Sequence, residues 1–161
     1  MSPTLETKRL HIGVLTGGGD CPGLNPAIRA VVRRAESGGH RVTGILDGWA
    51  GLADPAATLT RPLDRSEVRG IQARGGTILG SSRTNLAKRE GGLEAAEANL
   101  RALGVDALVA IGGDDTLKTA NKFKLFQDRL PAGTRKIPVV HLPKTIDNDY
   151  MGIDFTFGYF T

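Results

Sequence analysis

Three clusters of glycine and acidic residues in this chain of 161 residues have the composition that phosphate and cation chemistry requires. They are Gly-Gly-Gly-Asp-Cys-Pro-Gly at residues 17–23, Gly-Gly-Asp-Asp-Thr at residues 112–116 and Thr-Ile-Asp-Asn-Asp at residues 145–149. A glycine-rich turn before a helix offers unobstructed backbone N–H groups to phosphate oxygens. Carboxylates can hold a hard cation or act as general bases. Together the clusters could serve phosphoryl transfer to a hydroxyl.

Each cluster also has a purely structural interpretation. The first could be a tight turn without a ligand, because it lacks the Gly-Lys-Ser/Thr of a Walker A loop and has Pro22 at the last glycine position of Gly-x-Gly-x-x-Gly. Asp114 or Asp115 could cap a helix, and Asp147 and Asp149 could be Asx-turn residues. A cap needs only one acidic residue, however, so the adjacent pair favours a functional role.

Basic residues are scattered along the chain, which carries 21 basic and 17 acidic side chains for a net charge of +4. A nucleic-acid binder would cluster them on one face with interleaved aromatic residues, so no nucleic-acid partner is expected. Arg83 follows Gly-Ser-Ser at residues 80–82 and could clamp a phosphate, although a lone arginine is more often a solvated surface residue.

The apolar pattern predicts strands that end just before the three clusters. Strands are expected at residues 10–15, 41–46, 105–111 and 137–142, with a brief one at 77–79. Helices are expected from 25 to 38 (Asn25 as N-cap, Pro26 first), from 64 to 75, from 91 and from 117 to about 130. Such alternation is typical of an α/β parallel sheet covered on both faces. Ligands bind beyond the carboxyl ends of its strands, so the clusters should converge.

Length and composition indicate one domain, residues 10–161, after a polar tail at residues 1–9. No apolar run approaches the ~18 residues of a membrane span, so no membrane partner is expected. A single cysteine cannot form an internal disulfide, and no Cys/His spacing suggests zinc. The expected location is cytoplasmic.

The ordered motifs resemble the phosphofructokinase family. They are Ile-Gly-Val-Leu-Thr-Gly-Gly-Gly-Asp at 12–20 with Pro-Gly-Leu-Asn at 22–25, Gly-Gly-Thr-Ile-Leu-Gly-Ser-Ser-Arg at 75–83, Gly-Gly-Asp at 112–114, Pro143 with 145–149, and Gly-Ile-Asp-Phe-Thr-Phe-Gly at 152–158. The resemblance covers nearly the whole chain from residue 10. It implies a Rossmann-like three-layer domain, the incomplete N-terminal half of a phosphofructokinase-like fold truncated at its C-terminal end. Most groups that hold fructose 6-phosphate would lie in the absent half.

The resemblance implies a role for each matched residue on the donor side. The N–H of Gly18 and the side chain of Arg83 would bind the phosphoryl donor, and Asp114 would serve Mg²⁺. Catalysis would come mainly from positioning and from neutralising charge during an in-line transfer.

On the acceptor side, the resemblance implies that Asp147 takes the proton from the 1-hydroxyl of fructose 6-phosphate, with Asp149 close by. Thr145 would hydrogen-bond the substrate or the transferred phosphoryl group. The full-length protein would be the active enzyme and a homo-oligomer, whereas residues 1–161 alone would have little or no activity.

Two positions bear on the donor. ATP-using members of the family generally have glycine where this chain has Asp115, and commonly glycine where it has Lys144. An aspartate would fill the space that the α-phosphate of a nucleotide needs, while a lysine could offset its charge and hold a pyrophosphate oxygen. The resemblance therefore favours pyrophosphate, with Asp115 the stronger discriminator and an ATP-dependent enzyme the alternative.

The residues are also compatible with two other functional classes of protein. The chain could be an inactive phosphate-binding fragment or a regulatory module. NAD and lipid kinases also use a Gly-Gly-Asp loop, but the Thr-Ile-Asp-Asn-Asp loop is not expected in them.

Overall fold

The computed structural model describes residues 8–54 and 59–160. Most of the predicted tail, residues 1–7, lies outside this description, and residues 8–10 belong to no helix or strand. The elements in chain order are β1 (His11–Gly17), α1 (Leu24–Ser37), β2 (Arg41–Ile45), β3 (Thr60–Leu63), α2 (Gly92–Ala102), β4 (Ala107–Gly112), α3 (Asp114–Asp128) and β5 (Val139–Pro143). Short 3₁₀ turns lie at Gly48–Leu52, Ile71–Ala73 and Leu86–Lys88.

The five described strands form one sheet in the order β3-β2-β1-β4-β5. The pairings of β1 with β2, β1 with β4 and β4 with β5 are parallel, as the sequence predicted. The edge strand β3 runs antiparallel to β2, so the sheet is mixed rather than wholly parallel. The sequence Thr-Arg-Pro-Leu of β3 escaped prediction because it is half polar and contains Pro62, which an edge strand tolerates.

Strand β1 lies at the point where the order of the sheet reverses. The chain passes from β1 through α1 to β2 on one side, and later returns to β4 on the other side. Gly17 pairs with Gly112 and Gly112 pairs with Pro143, so β1, β4 and β5 end side by side. A crevice opens at such a switch point in doubly wound sheets.

Two apolar clusters cover the two faces of the sheet and confirm the three-layer prediction. On one face Val14 packs with Ile28 and Val32 of α1. On the other face Leu15 packs with Leu100 of α2 and Phe123 of α3. Each such fully buried side chain contributes about 1.5–3 kcal/mol, which makes the sheet a rigid base for the loops at its carboxyl edge. No helix in the described ranges is long and apolar enough to cross a bilayer.

Helix α1 does not begin where the sequence predicted. Its N-cap is Gly23, with φ 101°, and the first helical residue is Leu24. The predicted N-cap, Asn25, lies inside the first turn, where its side chain bonds to a distant loop instead. Pro26 still fits the first turn, because its missing N–H needs no partner there.

The predicted helix from residue 64 and the predicted strand at 77–79 are both wrong. Residues 65–70 form successive turns that lead into the 3₁₀ turn Ile71–Ala73, and residues 78 and 79 lie in a turn. Gly70, Gly76 and Gly80 all have φ between 66° and 75°, which interrupts any regular element between them. The segment is instead held by side chains from other parts of the chain.

Candidate functional site

The glycines that end β1 and β4 are required by close packing. A Cβ on Gly17 would lie 2.5 Å from Oγ1 of Thr116, and a Cβ on Gly112 would lie 2.6 Å from the same oxygen. Thr116 is buried in the first turn of α3. The purely structural interpretation therefore holds for these two glycines, which let α3 start directly against the strand ends.

Gly18 follows with φ 84° and lines a cleft. Its N–H, however, donates a 2.9 Å hydrogen bond to the carbonyl of Ser82. Donation from Gly18 to a phosphate, as predicted, would require that bond to be exchanged. The next amide, that of Gly19, donates to no residue that the structure describes, so it is a free N–H of this turn.

The cleft at the carboxyl edge of the sheet has a volume of about 230 Å³. It gathers Gly18, Arg83, Asp114 and Asp115, four residues that the sequence singled out from three separate segments. The complete lining is Gly18, Gly19, Ser82, Arg83, Thr84, Gly113, Asp114, Asp115 and Thr116. Gly19, Ser82, Thr84, Gly113 and Thr116 were not individually assigned site roles from the sequence.

The segment that carries Arg83 is fixed by Asn25, which is 1% exposed. The Asn25 side chain donates from Nδ2 to the carbonyl of Arg74 at 3.0 Å. Its Oδ1 accepts from the N–H of Ile78 at 2.8 Å. One buried amide thus satisfies both a donor and an acceptor of the loop, which is a positioning role that sequence reasoning missed because Asn before Pro resembles a cap.

Thr16, at the end of β1, holds the same segment a few residues further on. Its Oγ1 donates to the carbonyl of Gly80 at 2.6 Å and lies 2.8 Å from Oγ1 of Thr77. Because Thr16 has one hydroxyl proton, Thr77 must be the donor of the second bond. Ser82 completes the attachment by donating its Oγ proton to the carbonyl of Asp47 at 2.7 Å.

Two cationic side chains reach the turn at Gly19. A Cβ placed on Gly19 would lie 3.9 Å from Nζ of Lys144 and 4.0 Å from Nη2 of Arg83. Lys144 is 6% exposed and donates to the carbonyl of Gly19. Arg83 is exposed and forms no ion pair with any described residue. The free N–H of Gly19 and these two cations together make an anion-binding corner.

The adjacent carboxylates open α3 without capping it. The N-cap is Gly113, and no side chain accepts a capping hydrogen bond, so the capping interpretation of Asp114 and Asp115 is wrong. Both carboxylates are exposed at the cleft, and Asp114 forms an ion pair with Lys118 one turn later. The hydrogen bond from Lys118 to Asp114 raises the pKa of the lysine, with further contributions from the charges of both carboxylates.

The third cluster forms a compact loop after β5. Oγ1 of Thr145 accepts from the N–H of Asp147 at 3.1 Å. Asn148 has φ 52°, and its Oδ1 accepts from the N–H of Thr156 at 3.0 Å. Thr145 and Asn148 therefore make the turn bonds that were considered for Asp147 and Asp149. Both aspartates are exposed, and neither carboxylate accepts a hydrogen bond from a described residue.

The predicted base and metal ligand are not both in one cleft. Asp147 does not line the cleft of Arg83, whereas Asp149 shares a second depression, of about 310 Å³, with Asp114, Leu117, Tyr150 and Met151. Burial raises the pKa of Tyr150 to about 12, with the charges of Asp114 and Asp149 adding to the effect. Asp114 thus lines both the cleft of Arg83 and the second depression.

Acidic and other metal-ligating side chains do not form a ready-made metal centre here. Across residues 8–54 and 59–160, no group of three or more His, Cys, Asp or Glu could hold an ion. A hard cation at this edge would need oxygen ligands from elsewhere in addition to Asp114, such as phosphate and water.

A doubly wound sheet with a glycine turn, a helix N-terminus and two cations at its switch point is the arrangement of a phosphate-binding α/β domain. The family model for phosphofructokinase matches residues 11–161. The chain therefore belongs to the phosphofructokinase family.

Similar proteins agree on the family and differ in the donor that their names give. A pyrophosphate–fructose 6-phosphate 1-phosphotransferase of Streptomyces coelicolor is 51% identical over 94% of this chain and 42% of its own length. ATP-dependent 6-phosphofructokinase 3 of the same organism is 48% identical over 94% of this chain and 41% of its own length. The chain thus spans about two fifths of these relatives.

A solved structure gives the same picture of the fold. The phosphofructokinase of Pichia pastoris is 34% identical, superposes with a TM-score of 0.85, and is matched over 96% of this chain and 18% of that chain. The domain described above is therefore one part of a larger fold in these relatives.

Proposed function

We propose that the protein, at its full natural length, transfers a phosphoryl group from pyrophosphate to the 1-hydroxyl of fructose 6-phosphate. The product would be fructose 1,6-bisphosphate, with inorganic phosphate released. The proposal includes a cytoplasmic location and a homo-oligomeric form. It extends to this chain the reaction in the name of the Streptomyces coelicolor relative.

The observation that carries the proposal is the charge distribution around Gly19. Arg83 and Lys144 supply two positive charges at one turn, and Asp115 lines the same cleft as Arg83. A diphosphate with no further substituent can lie against both cations. The negative charge of Asp115 in this cleft would disfavour the additional α-phosphate of a nucleotide.

The proposed reaction needs one proton acceptor and in-line geometry. Asp147 would take the proton of the 1-hydroxyl while the sugar oxygen forms a bond to the phosphorus of pyrophosphate. The bridging P–O bond breaks, and the leaving phosphate keeps the electron pair. Arg83 and Lys144 would stabilise the charge that gathers on the phosphate oxygens, and Thr145 would hydrogen-bond the transferred group.

The residues present fit a magnesium ion bound through its substrate. Asp114 offers one exposed carboxylate at the border of the cleft, with its side chain 65% accessible. Mg²⁺ typically takes one or two carboxylates, phosphate oxygens and several waters. The ion would neutralise charge on the diphosphate. Asp114 would hold it, and Lys118 would have to give up its ion pair with that carboxylate.

An ATP-dependent enzyme is the second candidate, because ATP-dependent relatives are 47–49% identical to this chain. A coupled aldolase assay on the protein at its full natural length separates the two. We expect kcat/KM to be at least about tenfold higher with pyrophosphate than with ATP. Equal or better use of ATP would contradict the assignment of pyrophosphate as the donor. No turnover with either donor would contradict the proposed phosphotransferase activity.

The contribution of Arg83 to the anion-binding corner can be tested against a matched control substitution. Replacing Arg83 by Met removes a charge-assisted contact and should weaken pyrophosphate binding by about tenfold or more. Arg69→Met removes the same charge from an exposed site that does not line the cleft, and should leave binding unchanged.

A further inference from the structure

Both ends of the loop at residues 144–150 donate a hydrogen bond to the same acceptor atom. The carbonyl of Gly112, the last residue of β4, accepts from the N–H of Lys144 at 3.1 Å. The same carbonyl accepts from the hydroxyl of Tyr150 at 3.4 Å. Because both ends of the loop meet at one atom, the residues between them are closed into a ring that is fastened to β4.

The ring of Tyr150 rests on a second side chain of the sheet. His141 of β5 lies opposite Ala110 of β4 in the sheet register. Its ring centroid is 6.5 Å from that of Tyr150, with an angle of 31° between the planes. His141 is half-buried, and its Nε2 is buried without a hydrogen-bond partner among the described residues. The imidazole thus contributes a packing surface for the phenol.

Apart from the bond of the Lys144 side chain to the carbonyl of Gly19, the remaining bonds of the loop act within the loop and the residues that follow it. Asn148 bonds to Asp154 and Thr156, and Thr156 bonds to the carbonyl of Thr145. These bonds set the shape of the loop, but they do not attach it to β4 or α3. The attachment at its C-terminal end is the hydroxyl of Tyr150, which also lines the depression that Asp114 and Asp149 share.

We propose that Tyr150, packed on His141, is a positioning residue that closes the 144–150 loop onto Gly112 and thereby keeps Asp149 in the same depression as Asp114. The catalytic importance of this positioning rests on the proposed function, in which the loop carries the proton acceptor Asp147. Tyr150 itself does not take part in the chemistry. It fixes the distance between the loop and the first turn of α3.

The test compares Tyr150→Phe, which keeps the ring and removes the hydroxyl, with Tyr159→Phe. Tyr159 is 45% exposed and contacts Phe155 and Phe160 rather than Gly112. In the chain of 161 residues, amide hydrogen exchange of Asp147 and Thr156, whose N–H groups are bonded to the loop, should be about fivefold faster in Tyr150→Phe. Exchange in Tyr159→Phe should match that of the unmodified chain. Unchanged exchange in Tyr150→Phe would overturn the anchoring role.

The second measurement is kinetic and uses the protein at its full natural length. Tyr150→Phe should lower kcat by about fivefold and leave the KM for pyrophosphate unchanged, because Arg83 and Lys144 are untouched. A KM increase with unchanged kcat would overturn the positioning role. If the unmodified protein turns over neither donor, the proposed function fails, while the exchange experiment still decides whether Tyr150 anchors the loop.

Discussion

The N–H of Gly18 donates to the carbonyl of Ser82 at 2.9 Å and thereby joins the glycine turn to the segment that carries Arg83. The bond holds the backbone of Ser82, next to Arg83, beside the turn. It also occupies the N–H that would bind phosphate in the proposed function, whereas the amide of Gly19 makes no bond to a described residue. Preorganisation of this kind reduces the cost of binding a small, highly charged ligand.

The contribution of Asn25 to holding the segment that carries Arg83 can be measured as a change in the free energy of unfolding. Asn25→Ala would leave the buried N–H of Ile78 and the carbonyl of Arg74 without their partner. We expect the free energy of unfolding to fall by about 2–4 kcal/mol, measured by urea unfolding. Asn121→Ala, at an exposed position of α3, should change it by less than about 0.5 kcal/mol. Equal effects of the two substitutions would contradict the role of Asn25 in holding this segment.

Strands with continuous apolar runs, such as β1 and β4, were predictable because burial on both faces dictates their composition. Asn25 was misread because its bonding partners lie 49 and 53 residues away in the sequence, and a local pattern contains no such information. In the same way, topology predicted that the first two clusters share one cleft, but not that Asp147 lies outside it. The bond between Gly18 and Ser82 also depends on a loop whose path no periodicity describes.

The proposed donor preference rests on Asp115, whose size and charge can be separated by substitution. Asp115→Gly removes both from the cleft and should raise the ratio of ATP to pyrophosphate use, as kcat/KM, by about tenfold or more. Asp115→Asn removes only the charge and should give a smaller increase. The ratio is measured in the protein at its full natural length. A ratio that does not move in either variant would refute this account of donor choice.

Stability should depend on pH through His11, which is 7% exposed. Its Nδ1 accepts from Nη2 of Arg41 at 2.9 Å, so Nε2 carries the proton and bonds to Oγ1 of Thr43. Burial, and then the charge of Arg41, lower the pKa of His11 below 6.5, against smaller opposing effects of hydrogen bonds to the backbone of Leu103 and Gly104 and of the charge of Asp106. The unfolded chain therefore binds more protons between the folded pKa and 6.5.

It follows that the stability contributed by neutral His11 is fully present above pH 6.5 and is lost as the pH falls through its folded pKa. Urea midpoints at pH 7.5 and 5.5 measure the loss. His11→Asn keeps an acceptor for Arg41 but cannot titrate, so the loss should be smaller in this variant. Some loss should persist, since burial also lowers the pKa of His141. An identical loss in both proteins would exclude His11 as the source.

In the proposed function, the ion pair between Lys118 and Asp114 should raise the Mg²⁺ concentration that pyrophosphate binding requires. Lys118→Met frees the carboxylate, and since an exposed ion pair is weak, the Mg²⁺ concentration for half-maximal pyrophosphate binding should fall by at most about fivefold. Calorimetric titration at fixed pyrophosphate measures it. Lys124→Met removes an equivalent i,i+4 pair with Asp128 on the same helix, away from the cleft, and should leave the requirement unchanged. If both variants behave alike, Asp114 is not the carboxylate that holds the ion.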